Sequence, residues 1–511
     1  MASSALDHAL MTASQQKSLF AIEPSQSFCY TAEHVVEPAA YEGILAFHKY
    51  WGKKPIEPLA FIIERLTTRG DLVVDPFSGS GVTGFAATTL GRRYLGIDIN
   101  PVAGRLSSLV QNPPSMNDVK AALATVRLAV REEIELSYVA DEVNCPATHY
   151  LWEKDQMREV WVVSGRRRTT LKPTNADYEV FERYQPYEPK LRRPRFFKNS
   201  RINADPSLTW HDLFTGRALR NIELLLDAIR ELPGDVRNAL ELCLTAALGQ
   251  MSKMVFAITG RGKTSGSKSE KVEVGSWVIG FWRPPLHFEV NVWNCFERKV
   301  ERLIGGLGQE LARPTGGSME DVLAHSADYS IITDDALRGL ERIPDGSAQL
   351  ILTDPPHSDR APYLELSELW NAVLGANPQY SDEIIVSNAR DRGKDLKDYN
   401  DRMKRLASLA IQKLHKQGCI AIQFNARGKL SWEFFRDFEG GVEGSGVSYR
   451  GSFPLSYSAT SVVQDNRKGA MKTDCVLIFA TASTRLDSFS TLPDWTTEYP
   501  TNLRDDDGTE F

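Results

Sequence analysis

The chain has 511 residues, 42% of them hydrophobic and 25% charged, a soluble globular balance that excludes a fibrous or wholly disordered protein. No apolar run approaches the roughly 18–20 residues of a membrane helix, and the opening MASSALDHALMTASQQKS lacks the apolar core of a signal peptide. A formal net charge of −6 excludes a uniformly basic surface, so any polyanion contact must come from a local patch.

Residues 1–40 are weakly patterned and read as a loosely ordered segment. Helical spacing over 56–66 (IEPLAFIIERL) leads into a short buried strand, DLVVDPF. GSGVTG and a small-residue helix, FAATTLG, follow. YLGIDINP is then a second strand ending on a carboxylate, which completes a β-α-β unit. Residues 102–138 are predicted helical. Residues 139–214 lose clear periodicity. Between Lys154 and Arg201 this stretch holds 13 Lys and Arg against 6 Asp and Glu, with interleaved aromatics. That local excess on an acidic body is compatible with a polyanion contact or with a solvated face.

Residues 215–257 return to helix, broken at Pro233-Gly234, and 286–312 are helical again. A second α/β block starts near 328: strand YSIITDDA, strand AQLILTDPP, helices over 363–374 and 398–415, strand CIAIQFNA and a late strand DCVLIFAT. Residues 491–511 form an acidic tail. The expected fold is α/β. It is a single doubly wound Rossmann-like sheet with halves at 41–138 and 326–490, interrupted over 139–325 by a largely helical, basic insertion. Ligands of such sheets sit at the carboxyl ends of strands, where strand order reverses. That rule brings Asp75 and Asp354 together.

Gly79-Ser-Gly81-Val-Thr-Gly84 fits G-x-G-x-x-G between a strand and a helix, where glycines permit a tight turn and close backbone approach to a ligand. Asp98, at the next strand tip, is placed to accept from ribose hydroxyls. Asp75 at the first strand tip suits an ammonium group and would repel a pyrophosphate, which favours S-adenosylmethionine over a dinucleotide. Residues 257–264 (AITGRGKT) resemble a phosphate-binding loop, but SGSKSEK is poor helix material. A basic loop carrying Arg261 and Lys263 fits better. The six cysteines include no Cys-x-x-Cys pair, so no zinc ribbon, disulfide framework or metal site is expected.

Asp354 ends a strand on two prolines, which donate no ladder hydrogen bond and stiffen the turn. A carboxylate and the Pro355 carbonyl can both accept from an exocyclic amine and align its nitrogen for methyl transfer. With VVDPFSGSGVTG, LTDPPH and the upstream HKYWGKKP, the chain resembles the DNA amino-methyltransferases that make N6-methyladenine or N4-methylcytosine. The resemblance covers roughly 41–110 and 325–485. It implies an S-adenosylmethionine site lined by Lys54, Pro55, Asp75, Phe77, Gly79, Gly81, Thr83, Asp98, Asn100 and Asp335. It also implies a catalytic tetrapeptide, Asp354, Pro355, Pro356 and His357. The family usually has an aromatic at the fourth catalytic position. His357 is flat and is expected to stack on a flipped base.

The implied partner is double-stranded DNA, contacted by Arg166, Arg167, Arg168, Arg192, Arg193, Arg195, Arg261 and Lys263. A nuclease or other defence subunit is a further implied partner. A restriction–modification or phage-defence setting in the cytoplasm of a prokaryote, or of a cell infected by its phage, is expected. An RNA amino-methyltransferase and a degenerate, DNA-binding subunit are the alternatives.

Overall fold

The computed structural model describes residues 41–497 except 166, 260–271, 278, 309–312, 359–360, 427–428, 436–437, 439–445, 457–472 and 493–494. Seven strands form the central sheet: β1 (Leu72–Asp75), β2 (Arg93–Asp98), β3 (Tyr329–Thr333), β4 (Ala348–Thr353), β5 (Leu414–Phe424), β6 (Val447–Ser456) and β7 (Thr473–Thr481). Their order is 3-2-1-4-5-7-6. The pairs β1–β2, β2–β3, β1–β4 and β4–β5 are parallel. β7 runs antiparallel to both of its neighbours. Strand order reverses between β1 and β4, so their carboxyl ends open a crevice.

Both faces of the sheet are covered, which is why its strands read as apolar runs. Leu72, Val74, Leu95 and Ile97 point to one side, packing with α8 (Ala336–Glu341) and α10 (Leu396–Lys413). Val73 and Tyr94 point to the other side, packing with α1 (Ile56–Leu66), α2 (Val82–Thr89) and α3 (Pro101–Gln111). That second core runs without interruption into α4 (Met116–Leu136) and the insertion helices α5 (Gly216–Arg230), α6 (Gly234–Met251) and α7 (Val292–Gly306). A further helix, α9 (Glu368–Val373), lies beside the crevice and buries Trp370 in the same core.

The insertion also contains a four-stranded antiparallel sheet, in the order 286–290, 149–153, 156–164, 167–171. It is therefore less helical than its sequence predicts, and 139–214, which lacks clear periodicity in sequence, holds three of these strands and a helix over Asn175–Tyr184. The segment 286–312 begins as a strand, because Asn291 caps the helix that follows it. The predicted helix 102–138 is two helices, parted at Asn112–Ser115. At the centre of the insertion Arg217, fully buried, pairs with buried Glu289 through two bonds of 2.7 and 2.9 Å. Thr215 donates to the same carboxylate at 2.8 Å.

Candidate active site

The crevice is a cleft of about 880 Å³ at the carboxyl ends of β1, β2, β4 and β5. Its wall includes Lys54, Asp75, Phe77, Gly79, Thr83, Asp98, Asn100, Asp335, Asp354 and Pro356. The two halves of the site meet directly: Thr353 Oγ1 donates to Asp75 Oδ1 at 2.8 Å across 278 residues of sequence. Gly81, Pro55, Pro355 and His357 adjoin wall residues in the chain but do not themselves line the cleft. Gly79 and Gly81 have φ of +51° and +83°, the left-handed region that glycine adopts without strain. A Cβ on Gly81 would also come within 2.7 Å of the Ser107 backbone in α3.

Three carboxylates shape the cofactor half. Asp75 accepts from the Phe77 backbone at 3.0 Å. Asp98 accepts from the Gly79 backbone at 2.7 Å and from the Asn100 backbone at 2.8 Å, which holds the glycine loop against β2. Asp335 caps α8 through Oδ1, while its buried Oδ2 has no partner among the described residues. An unpaired buried acceptor, two further carboxylates and a glycine loop lining one cleft fit the amine, ribose and sulfonium of S-adenosylmethionine. Asn100 is itself fixed, donating to Ser367 Oγ at 2.8 Å and accepting from Asn371 at 3.0 Å.

Burial pushes Asp75 up to about 7 and Asp98 up to about 6. A carboxyl held above its ordinary value keeps a proton that the unfolded chain has released. These groups therefore favour the fold below about pH 4, and that contribution is lost as pH rises through 6 to 7. Hydroxyl donors or a cation in the cleft favour the charged forms, so cofactor affinity is expected to rise between about pH 5 and 8. Asp98→Ala should weaken binding by about 1.5–3 kcal/mol and remove the lower part of that pH dependence. Calorimetry across the range checks both effects; an unchanged dissociation constant would make Asp98 purely structural.

The catalytic half is built on Asp354. Its Oδ1 accepts from Lys54 Nζ at 3.1 Å and lies 2.8 Å from His357 Nε2. Lys54 also reaches Asp474 Oδ2 at 2.5 Å. The expectation that Lys54 serves the cofactor's methionine end is thus modified, because its ammonium is spent on two carboxylates of the catalytic half. Among the described residues Asp354 Oδ2 has no hydrogen-bond partner, and Asp354 is the most exposed member of this network. The Pro356 carbonyl accepts from Tyr399 Oη at 2.7 Å and from the Ser358 backbone at 2.9 Å, which locks the turn.

His357 is 6% exposed, its Nε2 is 3.3 Å from the Gln423 carbonyl, and its ring meets Phe424 edge-on. The ring therefore braces Asp354 from behind and offers no open face, which differs from the stacking its sequence position predicts. Its short imidazole reaches the carboxylate three residues back. Gln423 and Asp474 were missed in the sequence. Their only signal is a polar residue within the apolar run CIAIQF and a carboxylate opening the last strand.

The basic residues are placed unevenly. Arg167 and Arg168 are exposed on the outer strand of the insertion sheet, with Arg168 4.1 Å over the Trp161 ring. Arg193 and Arg195 are exposed, and Arg195 lies over Phe197 at 4.9 Å. Arg192 differs from its expected role: its guanidinium pairs at 2.8 Å with buried Glu368 at the start of α9, and so latches the insertion onto the catalytic half. Arg166, Arg261 and Lys263 lie outside the described residues, as does most of the 257–264 loop.

The doubly wound sheet and its switch-point cleft define a Rossmann-like methyltransferase fold. A family model described as DNA methylase, for the N6/N4 methylases, matches residues 24–107. The chain is 46% identical over 54 residues to the type II methyltransferase M2.DpnII of Streptococcus pneumoniae, a match covering 10% of this chain and 20% of that protein. It is 48% identical over 50 residues to the type II methyltransferase M2.MboI of Moraxella bovis, covering 10% and 18%. The chain thus spans about a fifth of the length of the curated relatives it matches. The solved structure of SMU.776 complexed with SAH aligns with a TM-score of 0.19 and 10% identity over 71% of this chain and 82% of that one.

Proposed function

We propose that the chain transfers a methyl group from S-adenosylmethionine to an exocyclic amine of a base flipped out of double-stranded DNA. N6 of adenine is favoured over N4 of cytosine, in a restriction–modification or phage-defence setting. The observation that carries this reading is Asp354. Its Oδ1 is fixed by Lys54 and His357, its Oδ2 has no hydrogen-bond partner among the described residues, and the residue lines the same cleft as the glycine loop.

The amine lone pair is delocalised into the base ring and must be made available. Oδ2 accepts one amine N–H, and the Pro355 carbonyl accepts the other. S-adenosylmethionine, when bound, supplies an electrophilic methyl group on a sulfonium. The proton lost by the methylated nitrogen passes to Asp354 Oδ2 or to water. The base must leave the helix to reach a cleft of this depth.

Transfer of a labelled methyl group to double-stranded DNA, with RNA as the competing acceptor, tests the reading. Label on RNA alone would favour the RNA enzyme, and label on neither would favour a degenerate subunit. For the DNA surface, replacing Arg166, Arg167 and Arg168 with Ala should weaken binding and flatten its salt dependence by about 0.9 in log–log slope per lost phosphate contact. Wild-type slope in the triple variant would mark the cluster as ordinary solvated surface.

A further inference from the structure

We infer that the side-chain amide of Gln423 reads the ring edge of the target base and selects adenine, an inference that rests on the methyl-transfer reading above. Gln423 sits at the carboxyl end of β5, is fully buried, and lines the cleft. Neither its Oε1 nor its Nε2 has a hydrogen-bond partner among the described residues. A buried amide unpaired at both ends is costly unless something brought into the cleft pairs with it. The residue is also close to the chemistry. A single atom, His357 Nε2, lies 2.8 Å from Asp354 Oδ1 and 3.3 Å from the Gln423 carbonyl.

Its neighbours are already spent. Lys54 is shared between Asp354 and Asp474, and Asp335 caps α8 on the cofactor side. Phe424 packs into the core on the opposite face of the sheet, whereas Ala421, two residues before Gln423, faces the α1 side. Gln423 therefore shares the face from which Lys54 approaches.

The amide's polarity determines which base it fits. With the amine held by Asp354, the next atom along the base edge is a ring nitrogen, an acceptor in both adenine (N1) and cytosine (N3). The atom after it differs: C2–H in adenine, the O2 carbonyl in cytosine. Edge to edge, a side-chain amide presents its NH2 as donor at one end and its carbonyl as acceptor at the other. Nε2 donating to N1 leaves Oε1 facing C2–H, which is compatible. Against cytosine, Oε1 faces either O2 or, when flipped, N3, and two lone pairs oppose each other. Cytosine would need two donors in this place. The amide is thus complementary to adenine.

The test uses unmethylated genomic DNA and methyl-labelled S-adenosylmethionine, with the product nucleosides separated by mass spectrometry. The wild-type chain should yield N6-methyldeoxyadenosine at least about tenfold over N4-methyldeoxycytidine. Gln423→Leu should lower adenine methylation about tenfold or more and shift the product ratio toward cytosine, with cofactor affinity unchanged. Gln423→Glu, which keeps the acceptor and loses the donor, should fall as far. Wild-type rates and ratio in either variant would overturn the inference, as would N4-methyldeoxycytidine as the main wild-type product. Both outcomes leave methyl transfer to DNA standing. A wild-type chain that methylates no DNA removes the underlying reading as well. Should Gln423→Leu lose cofactor binding through misfolding, the wild-type product and the Gln423→Glu variant still decide the matter.

Discussion

Asp354→Ala is expected to lower methyl transfer to DNA by about a thousandfold while leaving cofactor affinity within about twofold. Lys54 and His357 brace Oδ1 of the carboxylate, while among the described residues its Oδ2 has no hydrogen-bond partner. It lies at the tip of β4, whereas the glycine loop and Asp98 belong to β1 and β2. Lys54 keeps Asp474 as a partner in the variant, so no buried charge is orphaned and the fold should persist. Asp354→Asn keeps one acceptor but loses the charge, and should fall between wild type and Ala. Single-turnover rates with calorimetric cofactor titration check the split. A large loss of cofactor affinity in Asp354→Ala would place the residue in the cofactor site instead.

Glu289→Ala should lower stability by about 3–5 kcal/mol, because Arg217 is then left as an uncompensated charge in the interior. Arg217 is fully buried, lies over the Tyr138 and Tyr150 rings, and takes both of its charged contacts from Glu289. The double variant Arg217→Met with Glu289→Leu removes both charges and should recover much of the loss. Urea midpoints of the three proteins decide this. A double variant no better than the single one would mean that the pair fixes the geometry of the insertion rather than only balancing its own desolvation.

The parts of the molecule that were legible in the sequence are those written locally. Strand β1, the glycine turn and α2 follow one another within 18 residues, 72–89, and each carries its own signal of apolar run, glycine or helical period. The Asp354-Pro-Pro stop marks the end of β4 in the same way. Strand β6 escaped notice because Gly451 and Pro454 interrupt it: Gly451 has φ of +137°, and the ladder shifts register there. The insertion sheet was hidden because its outer strand, Arg167–Leu171, is polar and exposed, with no apolar alternation to betray it.

The candidate site divides along the same line. Asp75, Asp98 and Asp354 are strand-tip carboxylates that sequence can place. The bracing of Asp354 by Lys54, and of Lys54 by Asp474, depends on how α1 and β7 dock, 420 residues apart. Arg192 shows the opposite failure. A basic run looks the same in sequence whether it faces solvent or, as here, a buried glutamate.

The Lys54–Asp474 contact bears on how the cleft forms as the chain is made. Ribosomes release the glycine loop early and the last strand late, and β1 must wait for β4 before the sheet can close around it. Pairings of such long reach form slowly, so the nascent chain holds exposed apolar strands for much of its synthesis. Until residue 474 has emerged, Lys54 lacks its tighter anchor and Asp354 a settled brace. Partial chains can thus carry the whole glycine loop and still lack the settled Lys54–Asp354 arrangement until residue 474 has been made.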